Sequence, residues 1–115
     1  MIVNEYVAGQ GISAHIDCIP CFGDKIISLS LGGAITMDFT RKDLKHNLHL
    51  APRSLLILTG EARMEWKHAI ASRKSDQVGT DRIARGRRIS LTFRSVKIAE
   101  ELKRTSVSQI NSKAD

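Results

Sequence analysis

The segment Arg88-Ile89-Ser90-Leu91-Thr92-Phe93-Arg94 decides the fold class, because polar and apolar side chains alternate along its whole length. Successive side chains of a β-strand point to opposite faces, so this period of two predicts a strand with one polar and one apolar face. We expect the apolar side chains to pack against another layer. The polar face carries an arginine at each end, and an arginine buried in a protein interior needs an anionic partner.

Short apolar runs between turn-forming residues make up most of the remaining sequence, a pattern typical of β structure. The predicted strands span residues 2–7, 13–17, 25–31, 34–39, 48–50, 54–58, 67–71 and 87–94. We also predict a hairpin at Gly32-Gly33, a polar connection over residues 41–47, a helical turn over 60–66 and a long polar loop over 72–86. These elements predict an all-β fold, and the architecture that fits them is the double-stranded β-helix, or jelly roll.

The length of 115 residues predicts a single domain. We assign residues 1–95 to the jelly-roll core and residues 96–115 to a short helix or disordered tail, where helix formers are followed by Ser, Asn and Lys. The first residues lack the features of a signal peptide, and the longest apolar runs are too short to cross a bilayer. We therefore expect a cytoplasmic monomer with no membrane partner.

Positive charge is concentrated in the second half of the chain. The net charge is +6, and residues 1–57 carry five basic and five acidic side chains, so the whole excess lies in residues 58–115. Residues 73–94 alone hold seven basic side chains against two acidic ones. A basic surface attracts phosphate backbones, so this region indicates either a nucleic-acid partner or a loop that its charge keeps soluble.

The stretch His15-Ile16-Asp17 points to a metal site. In a strand, His15 and Asp17 project from the same face, and His68 offers a second imidazole 51 residues after Asp17. Two imidazoles and one carboxylate make up the facial triad of non-haem Fe(II) oxygenases, which leaves positions open for cosubstrate and oxygen. Histidines and aspartates are also common on ordinary protein surfaces, so the spacing alone leaves both interpretations open.

Eight short motifs follow one another along the chain. They are Asn4-Glu5-Tyr6, His15-Ile16-Asp17, Ser28-Leu29-Ser30-Leu31-Gly32, Met37-Asp38-Phe39, Arg53-Ser54-Leu55-Leu56, Gly60-Glu61-Ala62-Arg63, His68-Ala69-Ile70 and the alternating segment over residues 88–94. In this order they resemble the catalytic core of the AlkB family of Fe(II)/2-oxoglutarate dioxygenases. The resemblance covers residues 3–94, and within the family it is greatest to the branch that includes the tRNA wobble-uridine hydroxylases and their bacterial relatives.

The resemblance implies roles for eight residues. His15, Asp17 and His68 would ligate Fe(II), and Arg88 would pair with the C5 carboxylate of 2-oxoglutarate. The cosubstrate pocket would also contain Asn4, Tyr6, Ser90 and Arg94. Arg94 would support this pocket near its metal-binding end, and Ser90 stands where the founding type of enzyme carries an asparagine.

The activity that the resemblance implies is oxidation of alkylated or modified nucleobases in RNA or DNA. Hydroxylation of an N-methyl group would lead to demethylation and release succinate, CO2 and formaldehyde. Other interpretations stay open. In the first, the enzyme hydroxylates a tRNA modification or a protein side chain. In the second, the chain is a truncated, non-catalytic nucleic-acid-binding remnant. In the third, it is a cupin-like zinc hydrolase or isomerase, which the two arginines of residues 88–94 argue against.

Two departures from the family pattern bear on the substrate. Repair enzymes of the family often place an acidic residue two positions after the ligand aspartate, whereas this chain has Ile19 there. The family's nucleotide-recognition lid precedes the Asn-x-Tyr strand, and this sequence begins just before that strand, so we expect the lid to be absent. Repair of a damaged base is therefore less strongly indicated than the oxidation itself.

Cys18-Ile19-Pro20-Cys21 occupies the loop that follows the predicted aspartate ligand. A CxPC spacing is found in thiol–disulfide exchange sites, but no helix pattern follows it here. The two cysteines could also bind zinc together with His15 or His46, but a structural zinc site requires four ligands. We favour incidental loop cysteines, with metal or redox sensing and an oxidoreductase function as the alternatives.

Overall fold

The computed structural model describes residues 1–96, which form ten strands and one short helix. The strands are β1 (Ile2–Tyr6), β2 (Ile12–His15), β3 (Phe22–Gly32), β4 (Ile35–Arg41), β5 (Leu44–Leu50), β6 (Ser54–Leu58), β7 (Lys67–Ile70), β8 (Ser75–Val78), β9 (Asp81–Ala84) and β10 (Arg88–Val96), and the helix α1 (Gly60–Met64) precedes β7. The helical turn predicted between β6 and β7 is thus confirmed. The predicted tail lies outside the described residues, except for Val96.

Two four-stranded antiparallel sheets form the body of the domain. Sheet A has the strand order β1-β10-β3-β6, sheet B has the order β2-β7-β4-β5, and β8 pairs only with β9. Inner-face side chains of sheet B form a small apolar cluster of Ile35, Met37, Leu50 and Ile70. The predicted all-β jelly roll is confirmed. Within residues 1–96, no helix has the length and apolar character that crossing a membrane requires.

Sheet A turns polar side chains toward the interior. Ser90 of β10 lies between Asn4 of β1 and Ser30 of β3 in the strand register, and Arg88, Ser90 and Thr92 are all buried. Our expectation that the apolar face of β10 packs against another layer is wrong. Phe93 is 42% exposed, and Leu55, on the same outer face, is 58% exposed. The polar side chains point inward because they line a cavity between the two sheets.

The predicted hairpin at Gly32-Gly33 is also wrong, since β3 pairs with β10 and β6 while β4 pairs with β5 and β7. The two glycines instead carry the chain from sheet A to sheet B. Gly32 has φ +78°, and a Cβ there would lie 2.5 Å from the Arg87 carbonyl oxygen. The Gly33 amide donates a hydrogen bond of 2.7 Å to that same oxygen. This crossing therefore needs a residue that has no side chain and that tolerates positive φ.

Residues 41–47, predicted as a polar connection, contain a tight hairpin instead. Arg41 pairs with Leu44, so only Lys42 and Asp43 form the loop, and Lys42 takes the positive φ of 53° that such a turn requires. β5 is the edge strand of sheet B, and most of its side chains are exposed. Its polar composition therefore reflects its position at an edge.

Residues 72–86 were predicted to be a long loop, but they contain the β8–β9 hairpin. Asp76 is only 1% exposed and accepts hydrogen bonds of 2.8 Å from Arg73 and Arg85, and one of 3.2 Å from the Thr36 amide. Burial by itself would raise the pKa of Asp76, but the hydrogen bonds from Arg85 and Arg73 outweigh that effect and lower it to about 2. The buried ion pair thus holds Asp76 in place, and the hydrogen bond from the Thr36 amide connects the hairpin to β4 of sheet B.

Candidate metal centre and anion pocket

The three predicted metal ligands meet at one end of the space between the sheets. His15 ends β2 and lies opposite His68 of β7 in the strand register, with ring centroids 4.4 Å apart. Asp17 Oδ1 is 3.3 Å from His15 Nε2 and 3.7 Å from His68 Nε2. One ligand atom from each residue lies within 4.8 Å of the other two. This spacing and donor set suit a divalent transition-metal ion.

Hydrogen bonds and burial prepare the two imidazoles for metal binding. His15 Nδ1 donates to the Ser13 carbonyl over 2.7 Å, which leaves Nε2, the nitrogen facing Asp17, with its lone pair. Burial lowers the pKa of His68, and the neighbouring His15 lowers it further, although Asp17 acts in the opposite direction. The neutral ring is therefore favoured at His68, and this is the form that binds a metal.

Asp17 is buried, and its second oxygen faces an arginine. Arg94 Nε lies 3.2 Å from Asp17 Oδ2, on the side away from the contacts of Oδ1 with the two histidines. Arg94 Nε has no hydrogen bond of good geometry within the described part of the chain. The guanidinium thus acts as a neighbouring positive charge that orients the carboxylate. The sequence analysis expected Arg94 at the metal end of the pocket, and it does lie there.

A cavity of about 200 Å³ extends from the triad between the two sheets. Polar side chains of sheet A line one wall, and apolar side chains of both sheets line the rest. The lining includes His15, Asp17, His68, Arg94, Thr92, Ser28, Ser90, Asn4, Tyr6, Arg88, Met37, Leu56 and Ile70. All eight of the residues predicted from the sequence therefore border one space, with the triad and Arg88 among them.

Arg88 has the environment of an anion-binding arginine. Its side chain is 2% exposed, it donates to the Ser30 hydroxyl over 2.8 Å, and its guanidinium carbon lies 5.5 Å from the centre of the Tyr6 ring. Among residues 1–96, its Nε has no hydrogen-bond partner and no Asp or Glu forms an ion pair with it. Burial lowers the pKa of Arg88, which shows how poorly its charge is solvated. A carboxylate in the cavity would satisfy this charge.

Two contributing residues had no assigned role in the sequence analysis. Ser30, which accepts the hydrogen bond from Arg88, alternates with Ser28 along β3, and that i, i+2 pair of hydroxyls was the available signal. Arg63 is 2% exposed and donates to the main-chain carbonyls of Asp17 and Cys18. The sequence around Arg63 does not indicate that this arginine is buried, because charged side chains are normally exposed.

Cys18 and Cys21 are joined as a disulfide in the loop after Asp17, a pairing that the sequence analysis did not predict. Backbone hydrogen bonds from the amides of Cys21 and Phe22 to the Cys18 carbonyl close the same turn. Both sulfurs are bonded to each other, so they do not supply a zinc site. In the described residues the His15, Asp17 and His68 group is the metal-binding arrangement that the geometry provides.

The basic side chains of residues 73–94 are largely engaged within the protein. Arg73 and Arg85 bind Asp76, Arg87 lies 2.7 Å from Glu5, Arg94 faces Asp17, and Arg88 is buried. Lys74 and Arg82 form no ion pair within residues 1–96, and Arg82 donates to the Ser75 hydroxyl. The excess of charge in this region is therefore a weaker argument for a phosphate-binding surface than the sequence suggested.

Comparison with known proteins identifies relatives for nearly the whole chain. The profile of the 2OG-Fe(II) oxygenase superfamily matches residues 1–94. An uncharacterized protein of Acanthamoeba polyphaga mimivirus is 40% identical over 110 residues, which cover 93% of this chain and 52% of that protein. The tRNA (carboxymethyluridine(34)-5-O)-methyltransferase ALKBH8 of Macaca fascicularis is 42% identical over 114 residues, covering 84% of this chain and 17% of that protein.

A third relative is named for a different substrate. The DNA N6-methyl adenine demethylase of Caenorhabditis elegans is 33% identical over 92 residues, covering 78% of this chain and 28% of that protein. The chain thus spans about half the length of the viral relative and a smaller part of the other two. The names of the second and third relatives refer to different substrates, tRNA and DNA, although each of these relatives matches most of this chain.

Proposed function

This chain belongs to the 2OG-Fe(II) oxygenase superfamily and carries an AlkB-type core, and from that premise we propose that it is a dioxygenase that oxidises a modified nucleobase in nucleic acid. The observation that carries the proposal is the single cavity that joins a His-Asp-His triad to a buried arginine without an anionic partner among residues 1–96. The family takes Fe(II) and 2-oxoglutarate, and the donor set of the triad fits the metal.

In this proposal the residues of the protein bind and orient Fe(II) and 2-oxoglutarate. His15, Asp17 and His68 would hold Fe(II) at one end of the cavity, because their ligand atoms lie within 4.8 Å of one another. Arg88 would bind the distal carboxylate of 2-oxoglutarate, and its hydrogen bond to the Ser30 hydroxyl would fix the direction of the guanidinium. An arginine suits this task because its planar group binds a carboxylate through two parallel hydrogen bonds.

Three other residues complete the cosubstrate pocket. Tyr6 lies beside Arg88 in the register of β1 and β10, and Asn4 lies beside Ser90. Tyr6, Asn4 and Ser90 each offer a polar group to the same cavity. Apolar side chains, among them Met37, Leu56 and Ile70, line the rest of the cavity.

When bound, Fe(II) and 2-oxoglutarate would supply the oxidation of a substrate C–H bond by O2, in which one oxygen atom enters the substrate as a hydroxyl group and the other enters succinate as 2-oxoglutarate loses CO2. On an N-methyl group the resulting alcohol loses formaldehyde, which amounts to demethylation. On a carbon side chain of a modified base the product remains a hydroxyl group. The protein decides between these outcomes only through which group it presents to the metal.

Relatives named for tRNA and DNA substrates support a nucleic-acid substrate for this chain. A specific feature favours hydroxylation of a tRNA modification as the second candidate. Ile19, two positions after Asp17 in the sequence, is 40% exposed, so an apolar side chain occupies a position where repair enzymes often have an acidic one. This chain therefore lacks that carboxylate for contacting a damaged base.

The first experiment tests the metal and cosubstrate site. Addition of Fe(II) and 2-oxoglutarate under anaerobic conditions should give the visible charge-transfer band of the chelated complex. Asp17→Asn should abolish this band, whereas Asp24→Asn, which alters an exposed carboxylate in β3, should leave it unchanged. If wild-type protein gives no band, or if Asp17→Asn retains it, the oxygenase proposal is wrong and a non-catalytic binding module becomes the better interpretation.

The second experiment sorts the substrate class. Release of succinate is measured with methylated DNA and RNA oligonucleotides, with tRNA and with peptides, and formaldehyde is measured in parallel. Succinate with formaldehyde indicates demethylation, and succinate without formaldehyde on tRNA indicates hydroxylation. Stimulation by peptides alone would contradict a nucleic-acid substrate.

A further inference from the structure

Arg63 is one of the least exposed side chains in the described part of the protein, at 2% exposure, and it lies in the last turn of α1. Its guanidinium donates three hydrogen bonds, all to main-chain carbonyls: Nε to Gly23 over 3.1 Å, Nη1 to Asp17 over 2.9 Å and Nη2 to Cys18 over 3.2 Å. In residues 1–96 it forms no ion pair with a carboxylate. Since burying a cation is costly unless its donors are satisfied, these carbonyls must keep their positions around it.

These contacts connect two segments of the metal centre that are distant in sequence. Asp17 lies 46 residues before Arg63, and α1 is separated from β7, which carries His68, only by Glu65 and Trp66. Movement of the loop after β2 therefore requires breaking bonds to the helix that leads into the second histidine strand.

We propose that Arg63 is a positioning residue for the metal centre. By holding the main-chain carbonyls of Asp17, Cys18 and Gly23, it fixes the Asp17 carboxylate relative to His15 and His68. This inference rests on the proposed iron-dependent function. The task needs a guanidinium, because a lysine ammonium is a point charge that cannot hold three carbonyls in a fixed planar arrangement.

The chain offers a matched control in Arg85. This arginine is also buried and also donates to main-chain carbonyls, those of Ala71 and Gln10, but it does not line the cavity of the triad. Arg85 also binds the Asp76 carboxylate, so Arg85→Lys disturbs at least as many buried hydrogen bonds as Arg63→Lys and controls for general destabilisation. The thermal unfolding of both variants is measured first, and the metal titrations are carried out at a temperature at which each variant is folded.

The decisive measurement is the affinity for Co(II), followed anaerobically by its visible absorption. We expect Arg63→Lys to weaken binding about tenfold or more, the usual effect of removing a group that orients a metal ligand. Arg85→Lys should bind Co(II) as the wild type does. Wild-type affinity in Arg63→Lys, or equal weakening in both variants, would overturn the role of Arg63. Failure of the wild type to bind Co(II) at all would instead overturn the metal site and the proposed function with it.

Chemical rescue gives a second readout that general destabilisation does not produce. Arg63→Ala leaves a space of the size and polarity of a guanidinium ion. Millimolar guanidinium chloride should restore the Co(II) affinity of this variant, whereas potassium chloride at the same ionic strength should not. Equal effects of the two salts would contradict the inference, and a variant that does not fold leaves the lysine substitution to decide.

Discussion

Arg94 Nε lies 3.2 Å from Asp17 Oδ2, while the other oxygen of that carboxylate, Oδ1, faces both histidines. The two oxygens of Asp17 therefore have different surroundings. Oδ1 faces the proposed metal position, and Oδ2 faces the Arg94 guanidinium. Asp17 is also bound through its main-chain carbonyl by Arg63. The side chain and the backbone of the same residue are thus oriented by two separate arginines, from β10 and from α1.

The first prediction concerns this carboxylate. Arg94→Gln removes the charge beside Oδ2, so the carboxylate can rotate and its metal complex becomes weaker. We expect an affinity for Co(II) reduced about tenfold, in the range found for residues that orient metal ligands. Arg82→Gln, on the exposed β8–β9 hairpin, is the control and should bind Co(II) normally. Equal affinities for wild type and Arg94→Gln would show that Asp17 is oriented without Arg94.

The second prediction concerns the anion end of the cavity. Arg88→Gln should weaken binding of 2-oxoglutarate by about 1.5–3 kcal/mol, the contribution of a charge-assisted hydrogen bond, with little change in Co(II) affinity. The cosubstrate affinity is measured by titration of the Co(II)-loaded protein. Unchanged affinity for 2-oxoglutarate would remove Arg88 from the pocket.

Ser30→Ala tests the hydroxyl that accepts the hydrogen bond from Arg88. It should have a smaller effect on 2-oxoglutarate binding, about 0.5–1.5 kcal/mol, because the charge remains and only its direction is less fixed. The same titration measures it. A loss as large as that of Arg88→Gln would mean that Ser30 itself contacts the cosubstrate.

Local patterns in the sequence, read together with the family resemblance, predicted eight residues that line one cavity. Polar and apolar residues alternate along β10, and His15 and Asp17 are two positions apart, so each pattern depends only on the period of a strand. The structure places these side chains around one cavity. The motif order predicted the family, and the profile match over residues 1–94 confirms it.

Features that depend on distant contacts could not be predicted in this way. Asp76 and Arg85 look like ordinary surface charges in the sequence, and only their pairing makes them a buried anchor for the β8–β9 hairpin. The outward direction of Phe93 is decided by the polar cavity on the other side of sheet A. Gly32-Gly33 has a composition typical of hairpins, yet here the chain crosses between the two sheets. Both glycines lie against the Arg87 carbonyl at this crossing, a contact that the local sequence does not reveal.

The fourth prediction follows from the buried ion pair of Asp76 and Arg85. The pKa of Asp76 is lowered from 3.8 to about 2 in the folded protein, so its contribution to stability is fully present above pH 4 and is lost as the pH falls toward 2. This shift corresponds to roughly 2–3 kcal/mol. Asp76→Asn should therefore unfold at lower urea concentration at pH 7, and its difference from wild type should shrink below pH 4. A difference that does not change with pH would mean that the carboxylate charge is unimportant.

The last prediction uses two glycines with similar backbones and different surroundings. Gly32 has φ +78°, and a methyl group added there would lie 2.5 Å from the Arg87 carbonyl oxygen, whereas Gly79 has φ +60° with nothing within 4 Å of the same position. Gly79→Ala should cost only the strain of a left-handed conformation, about 1–2 kcal/mol. Gly32→Ala adds a clash with main-chain atoms that cannot move without shifting Arg88, so it should be clearly less stable in urea unfolding.

Gly32→Ala should also bind 2-oxoglutarate more weakly when measured where both variants are folded, because Arg88 pairs with Gly32 in the register of β3 and β10. Gly79→Ala should keep the wild-type affinity, since Gly79 is in the β8–β9 turn, outside the cavity lining. Loss of cosubstrate affinity in both variants would point to stability as the common cause. Loss in Gly32→Ala alone would show that the crossing between the two sheets positions the anion-binding arginine.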